Sequence, residues 1–440
     1  MSSHPYQSLP DWNFWKPSIA DRPFEQVDPV VVAKFRIKRS DKIVTAGSCF
    51  AQHIARHLQG AGFNYLVTEL PNPIVPVHIA ERFGYGVFTA RYGNIYTSRQ
   101  LIQLLQRAYD LFRPEDDVWL HRDGRFIDPF RPRIQPDGFA SIAEYRADRR
   151  QHFSAVRRAI EDLDVFVFTL GLTEGWTSRT DGAAYPLCPG VAGGSFDENQ
   201  HVFTNLRVHE VISDLKDAVE LIRTHNPSAR FFFTVSPVPL VATAEPQSVL
   251  VSTTYSKAVL RVAAAEVAND DDRIAYFPSY EVITGPHTRG RYFAEDLRSI
   301  TEDGVLRVMQ LFFQHCTENT GSIEIRTETS SVALPTTDKA AQGAMVKTFA
   351  VMCDEIVLAE SRSQHWAVVV SAAAGEAEKR LPTLLDAQQQ TPLVENEGVE
   401  RREEQRQLDE LRQQLKTVSG DRNVQRWLVE LLQRQVNRQR

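Results

Sequence analysis

Cysteine is scarce, with four in 440 residues, and Cys49, Cys188, Cys316 and Cys353 are widely scattered without a C-x-x-C pair. Neither a zinc knuckle nor a disulfide framework is indicated, and a reducing cytoplasm is the expected compartment. Long apolar runs are missing too. Stretches such as Trp366 to Val370 fall far short of the ~20 residues of a membrane-spanning helix. The opening segment has neither the basic start nor the apolar centre of an export signal. A net charge of −6 supplies no dominant positive field for a phosphate backbone, so nucleic acid is not an expected partner. A phosphate-binding glycine loop, a dinucleotide fingerprint and metal-ligand spacing are likewise wanting, so no cofactor or metal is expected.

What is present is an ordinary globular composition, 42% hydrophobic and 24% charged, in a chain long enough for one large domain with appendages. Residues 1–38 are irregular and rich in Pro and aromatics, including Trp12, Trp15 and Pro17, and resemble an arm that packs on a body. Lys42 to Ala46 is a short β-rich run ending at Gly47, after which Phe50, Ile54 and Leu58 recur at helical spacing until Gly60 and Gly62. Val165 to Leu170, Phe231 to Val235 and Ile274 to Phe277 are apolar enough for strands buried on both faces. Between them, Val208, Val211, Leu215, Val219 and Ile222 keep a 3.6 period until Asn226-Pro227, and Tyr255, Val259, Val262 and Val267 do so again. Thr301 caps a further helix through Val305, Met309 and Phe312.

Strands alternating with helices predict an α/β fold over residues 39–316, a three-layer sandwich with a mostly parallel central sheet. Beyond it, residues 317–395 are expected to be linker and helical segment. Residues 396–440 carry short amphipathic or coiled-coil stripes, Leu408, Leu411 and Leu415 and then Trp427, Leu428 and Leu431. This helical extension is the expected surface for an oligomer or protein partner.

Such folds place ligands beyond the carboxyl ends of their strands, and Ser48 falls just after the first. The helix behind it points free N–H groups toward the spot where an oxyanion would form. The bland alternative is that Ser48 only caps the helix. Cys49 is expected to be core, since adjacent side chains in such a turn point apart.

Gly47-Ser48-Cys49-Phe50-Ala51 matches in full the five-residue motif of the GSCFA family, and Gly93-Asn94-Ile95-Tyr96-Thr97, Thr169 to Trp176 and Ser236-Pro237-Val238-Pro239 resemble its further segments in order and spacing. GSCFA proteins are grouped with the SGNH or GDSL hydrolases. The resemblance implies that Ser48 is the nucleophile, and that Ser48, Gly93, Asn94 and Thr173 form the oxyanion hole. Thr173 stands where the SGNH pattern has asparagine. Glu174, Trp176 and Tyr280 are candidates for binding substrate, an acylated small molecule or saccharide. Where SGNH enzymes carry Asp-x-x-His, this chain reads Asp296-Leu297-Arg298-Ser299. The base is missing from its place, and His287, nine residues before Asp296, is the expected substitute, with His53 and His78 more remote. Two functions follow: a serine esterase or O-acyltransferase acting on a glycoconjugate, or a binding or scaffold protein that has lost its base.

Overall fold

The computed structural model describes residues 4–121, 123–318 and residue 358. The expected linker and amphipathic tail, and Cys353, therefore lie outside the described residues apart from their first two positions and Leu358. Four short helical turns (Pro5–Ser8, Asp11–Asn13, Lys16–Ala20 and Phe24–Gln26) make up the arm. There follow β1 (Ile43–Gly47), α1 (Ala51–Gly60), α2 (Val77–Arg82), α3 (Ser98–Ala108), β2 (Trp119–Leu120), β3 (Phe126–Ile127), α4 (Ile142–Asp162) and β4 (Val165–Leu170). Then come β5 (Glu174–Ser178), β6 (Ala184–Tyr185), β7 (His201–Asn205), α5 (Val208–His225), β8 (Arg230–Val235), α6 (Val249–Asn269), β9 (Ile274–Phe277), α7 (Ser279–Thr284) and α8 (Glu302–Cys316).

The central sheet has the order β1-β4-β8-β9, and every pairing in it is parallel. Side chains alternate across a strand, which sorts these apolar runs into two cores. Val44, Ala46, Phe166, Phe168, Phe231 and Phe233 face α3, α4, α5 and α6. Ile43, Val165, Val167, Phe232 and Phe277 face α1, α7 and α8. The α/β architecture with a parallel sheet between helical layers is thus observed. Among the described residues, β1 has beside it a single parallel bridge, Ile43 to Tyr65, rather than a fifth strand.

Helix starts follow their local chemistry. Thr97 opens α3 with a capping box, its side chain accepting from the Gln100 amide. Thr301 opens α8 by accepting from Gly304. The α6 stripe differs from the sequence expectation. Tyr255 and Val262 are exposed, while the buried face carries Ser252, Ser256 and Lys257 together with Leu260, Ala263 and Ala264. Hydrogen bonds to the loop after β4 hold Ser256 and Lys257 inside, so of the expected stripe only Val259 and Val267 are buried.

Two antiparallel additions sit off the sheet: the β2–β3 hairpin and the three strands β6-β5-β7. Near the hairpin, Arg131 bonds to Asp128 at 2.8 Å and to Asp148 at 2.7 Å. Arg91 bonds to Asp148 at 2.6 Å, and the Glu69 carboxylate takes the Arg91 amide at 2.8 Å and His152 Nδ1 at 2.9 Å. All but Asp148 are buried. Burial alone would raise the Glu69 carboxyl, but His152, Arg131 and the Arg91 amide outweigh it and bring it down to about 2. His152 is pushed below its usual value by burial and by Arg131, so we take its imidazole as neutral and Glu69 as ionised. At the far side, Ile37 donates to the Cys316 carbonyl at 2.8 Å and accepts from Glu318 at 2.9 Å.

Candidate active site

All strands of the central sheet run the same way, so the turns after β1, β4, β8 and β9 collect on one edge. Ser48 immediately follows β1, and its amide donates to the Thr169 carbonyl at 3.1 Å, extending the pairing one step past the strand. Gly47 precedes it at φ 137°, where a Cβ would stand 2.3 Å from the Thr169 oxygen. The close approach of β1 and β4 requires glycine there. Across the edge, a Cβ on Gly171 would lie 3.0 Å from the Ser48 Cβ and 3.0 Å from the Tyr96 oxygen. Gly171 and Leu172 both donate to that oxygen, at 3.0 Å each, and Ile95 donates to the Gly47 carbonyl at 2.8 Å. The segment after Gly93 is thereby stitched to both turns.

The Ser48 hydroxyl is buried and has no hydrogen-bond partner among the described residues. No side chain caps the start of α1, so its oxygen is not spent on the helix. Cys49 is buried, as expected. Asn94 is buried, and its side-chain oxygen accepts from Gln52 Nε2 at 3.0 Å. Thr173 is fully enclosed: its amide donates to Ser256 Oγ at 2.9 Å and its hydroxyl to Asn205 Oδ1 at 2.7 Å. Of the four residues expected to build the oxyanion hole, the geometry brings Ser48, the Gly93–Asn94 turn and the Thr173 loop to one edge. The Ser48 amide and the Thr173 hydroxyl already have acceptors.

The residues expected to bind substrate are spread out. Past Thr173 the chain continues as β5. There Glu174 accepts from the Thr243 hydroxyl at 2.8 Å, and burial followed by the Glu245 charge raises its carboxyl above the usual range. Trp176 packs edge-on against Phe196 and Phe203 within the small antiparallel sheet. Tyr280, near the start of α7, is partly buried against the larger core.

No catalytic triad is assembled among the described residues. Asp296 is exposed, and its carboxylate takes the Ser299 hydroxyl at 2.6 Å and the amides of Arg298 and Ser299 at 2.9 and 2.8 Å, which hold it below the usual carboxylate range. His287 lines a separate cavity with the arm and has no bond to Ser48; burial and then Arg307 lower its imidazole. Burial, with Arg56 and His57 adding to it, brings His53 down to about 3. His78 is exposed on α2.

Sequence reasoning missed Lys257. It is fully buried and donates from Nζ to the Gly171 carbonyl at 2.5 Å. Together with Ser256 it ties down both ends of the Gly171–Thr173 turn. A lysine falling on the Leu260–Ala264 stripe was the available signal.

These elements define a three-layer α/β protein with a buried serine at the strand-end edge of a parallel sheet. The sequence profile of the GSCFA family matches residues 42–312, more than half of the chain, and the protein belongs to that family. No protein of curated function matches it. Among solved structures, the chain is similar to the Clostridium thermocellum family 3 carbohydrate esterase at 11% identity and a TM-score of 0.27, over 63% of this chain and 94% of that one. So loose a superposition transfers no activity. No helix of the described residues is long and apolar enough to cross a membrane.

Proposed function

We propose that this protein is a serine esterase or O-acyltransferase of SGNH type, acting through Ser48 on an acylated saccharide or glycoconjugate. The Ser48 hydroxyl carries this reading: buried, unbonded, and set against Gly171 at the edge where such folds work. Leaving a buried hydroxyl unpaired costs about 1–3 kcal/mol, and no bond to the start of α1 offsets that here. Membership of a family whose motif contains this serine supports the same reading.

In the proposed reaction Ser48 Oγ attacks the acyl carbonyl while its proton passes to a base. The bond to the alcohol then breaks, and the alcohol leaves with that proton. The acyl group on Ser48 goes next to water or to an acceptor hydroxyl. Gly93, Asn94, Thr173 and the Ser48 amide are the proposed receivers of the oxyanion charge. For Ser48 and Thr173 this means exchanging present partners when substrate binds. His287, oriented by Asp296, is the proposed base, and substrate binding has to deliver it, since the resting hydroxyl has no partner among the described residues. Glu174, Trp176 and Tyr280 are proposed to line the substrate path. Thr317 and Glu318 pair with Ile37 and stay with the body, and the residues beyond them are proposed to be a separable extension that attaches partners.

A second reading has one observation in its favour. Ser299 occupies the histidine's place and satisfies Asp296 at 2.6 Å, as in a binding protein that has lost its base.

Fluorophosphonate labelling and p-nitrophenyl acetate turnover test the proposal on wild type, Ser48→Ala, His287→Ala and Ser299→His. Labelling that disappears in Ser48→Ala, and turnover about a hundredfold lower in His287→Ala, are expected. Equal turnover in wild type and Ser48→Ala rejects the esterase. A gain confined to Ser299→His favours the second reading.

A further inference from the structure

The arm and the turn after α7 border a half-open cavity of about 370 Å³, lined among others by Trp15, Arg22, His287, Arg289 and Arg291. Its lining holds three arginines and no carboxylate. Elsewhere arginines are spent on acids, as at Arg91, Arg131, Arg149, Arg223 and Arg261. None of the three here forms a salt bridge among the described residues. Arg22 bonds through Nε to the Pro17 carbonyl at 3.0 Å, and Arg291 lies 4.8 Å from the centre of the Phe24 ring. Both interactions fix the guanidinium without neutralising it. Glu25 and Asp303, close enough to act on the Tyr292 hydroxyl, are not among the lining residues.

The turn itself is built to hold Arg289 in position. Arg289 adopts φ 50°, a left-handed conformation that a non-glycine residue takes at a cost. The Thr288 hydroxyl secures it by donating to the Ile283 and Gly285 carbonyls at 3.1 and 3.0 Å and accepting from Gly290 at 3.3 Å. The arm contributes Trp15 to the lining, 64% exposed although large and apolar.

We propose that this cavity binds a small organic phosphate, with the phosphoryl group on Arg22, Arg289 and Arg291 and a ring of the ligand against Trp15. Three unneutralised guanidiniums suit a dianion with three terminal oxygens better than a single carboxylate, because each fork can pair with two oxygens. The volume falls within the range of small-molecule sites, which run to about 300–1,000 Å³. The cavity shares His287 with the reaction proposed at Ser48, but the proposal rests on the three arginines and Trp15 and not on that reading.

Calorimetric titration of the full chain with glucose 6-phosphate, inorganic phosphate and glucose tests it. Both phosphates are expected to bind and glucose is not. The Arg289→Gln/Arg291→Gln variant should weaken both by about tenfold or more. Trp15→Ala should weaken the sugar phosphate and leave inorganic phosphate unchanged. Arg22→Gln, on the arm, replaces the double variant if that one fails to fold. Undetectable binding of glucose 6-phosphate to wild type at millimolar concentration, equal binding by wild type and the arginine variant, or glucose binding as tightly as its phosphate, each overturns the proposal.

Discussion

Two buried polar regions of this protein treat their side chains in opposite ways. Around Arg131 nearly every charge is paired, with Asp128, Asp148, Glu69 and Arg91 within ion-pair reach of one another. At the sheet edge the backbone of the neighbouring turns is bonded just as thoroughly, yet the hydroxyls of Ser48 and of Thr169 beside it have no partner among the described residues. The first arrangement is what a fold needs in order to bury charge at all. In the second, a hydrogen-bonded surround leaves buried hydroxyls unpaired.

The contrast breaks most visibly at Arg131. Arg131→Met strands Asp128 in the interior and should cost about 3–5 kcal/mol, read from urea unfolding. A variant as stable as wild type would mean that water reaches the cluster and that it resembles an exposed network. Gly171→Ala comes next, since its new methyl meets the Ser48 Cβ and the Tyr96 oxygen at 3.0 Å. A loss of about 1–3 kcal/mol is expected, together with loss of fluorophosphonate labelling. A stable, fully labelled variant would show that the turn yields.

Acid sharpens the comparison further. His53 is held down to about 3 in the folded chain against 6.5 as its ordinary value, so between these pH values the unfolded chain binds a proton that the folded chain refuses. Stability is fully present above pH 6.5 and falls as pH drops toward 3, by up to about 1.4 kcal/mol per pH unit. His53→Gln should flatten that slope in thermal melts at successive pH values. A change of opposite sign is expected in Ser48→Ala. It removes an unbonded hydroxyl together with its desolvation cost, so the folded chain should gain up to about 1–3 kcal/mol while labelling vanishes. A large loss of stability would mean that Ser48 belongs with the paired charges after all.

The four central strands were legible because burial on both faces leaves almost uninterrupted apolar runs, as in Val165 to Leu170. β5 and β7 were not. Their partly exposed faces mix Trp176 and Phe203 with threonines, and no simple alternation survives. α4 escaped notice because its outward face is crowded with arginine and its inner stripe is thin, although Ser141 and Glu144 mark its start. Ser48 and its turn could be located from local pattern and resemblance. The state of its hydroxyl could not, because that depends on Thr169, Gly171 and Tyr96 arriving from distant parts of the chain. The same holds for the ionic cluster, whose members span Glu69 to His152. His287 illustrates the limit of proximity in sequence: nine residues from Asp296, it faces the arm instead.

The paired hydrogen bonds between Ile37 and the strand-like end at Cys316 and Glu318 have an architectural meaning. Entry to and exit from the α/β body lie side by side, so the body is topologically close to a ring. Chains of that kind tolerate having their ends joined and new ends opened in a surface loop. A circular permutant linking residue 318 back to residue 36, and opened in the exposed stretch around Asn72 and Ile74, would keep every strand pairing of the central sheet. It would also detach the arm, leaving the Ser48 edge whole and removing one wall of the arginine-lined cavity.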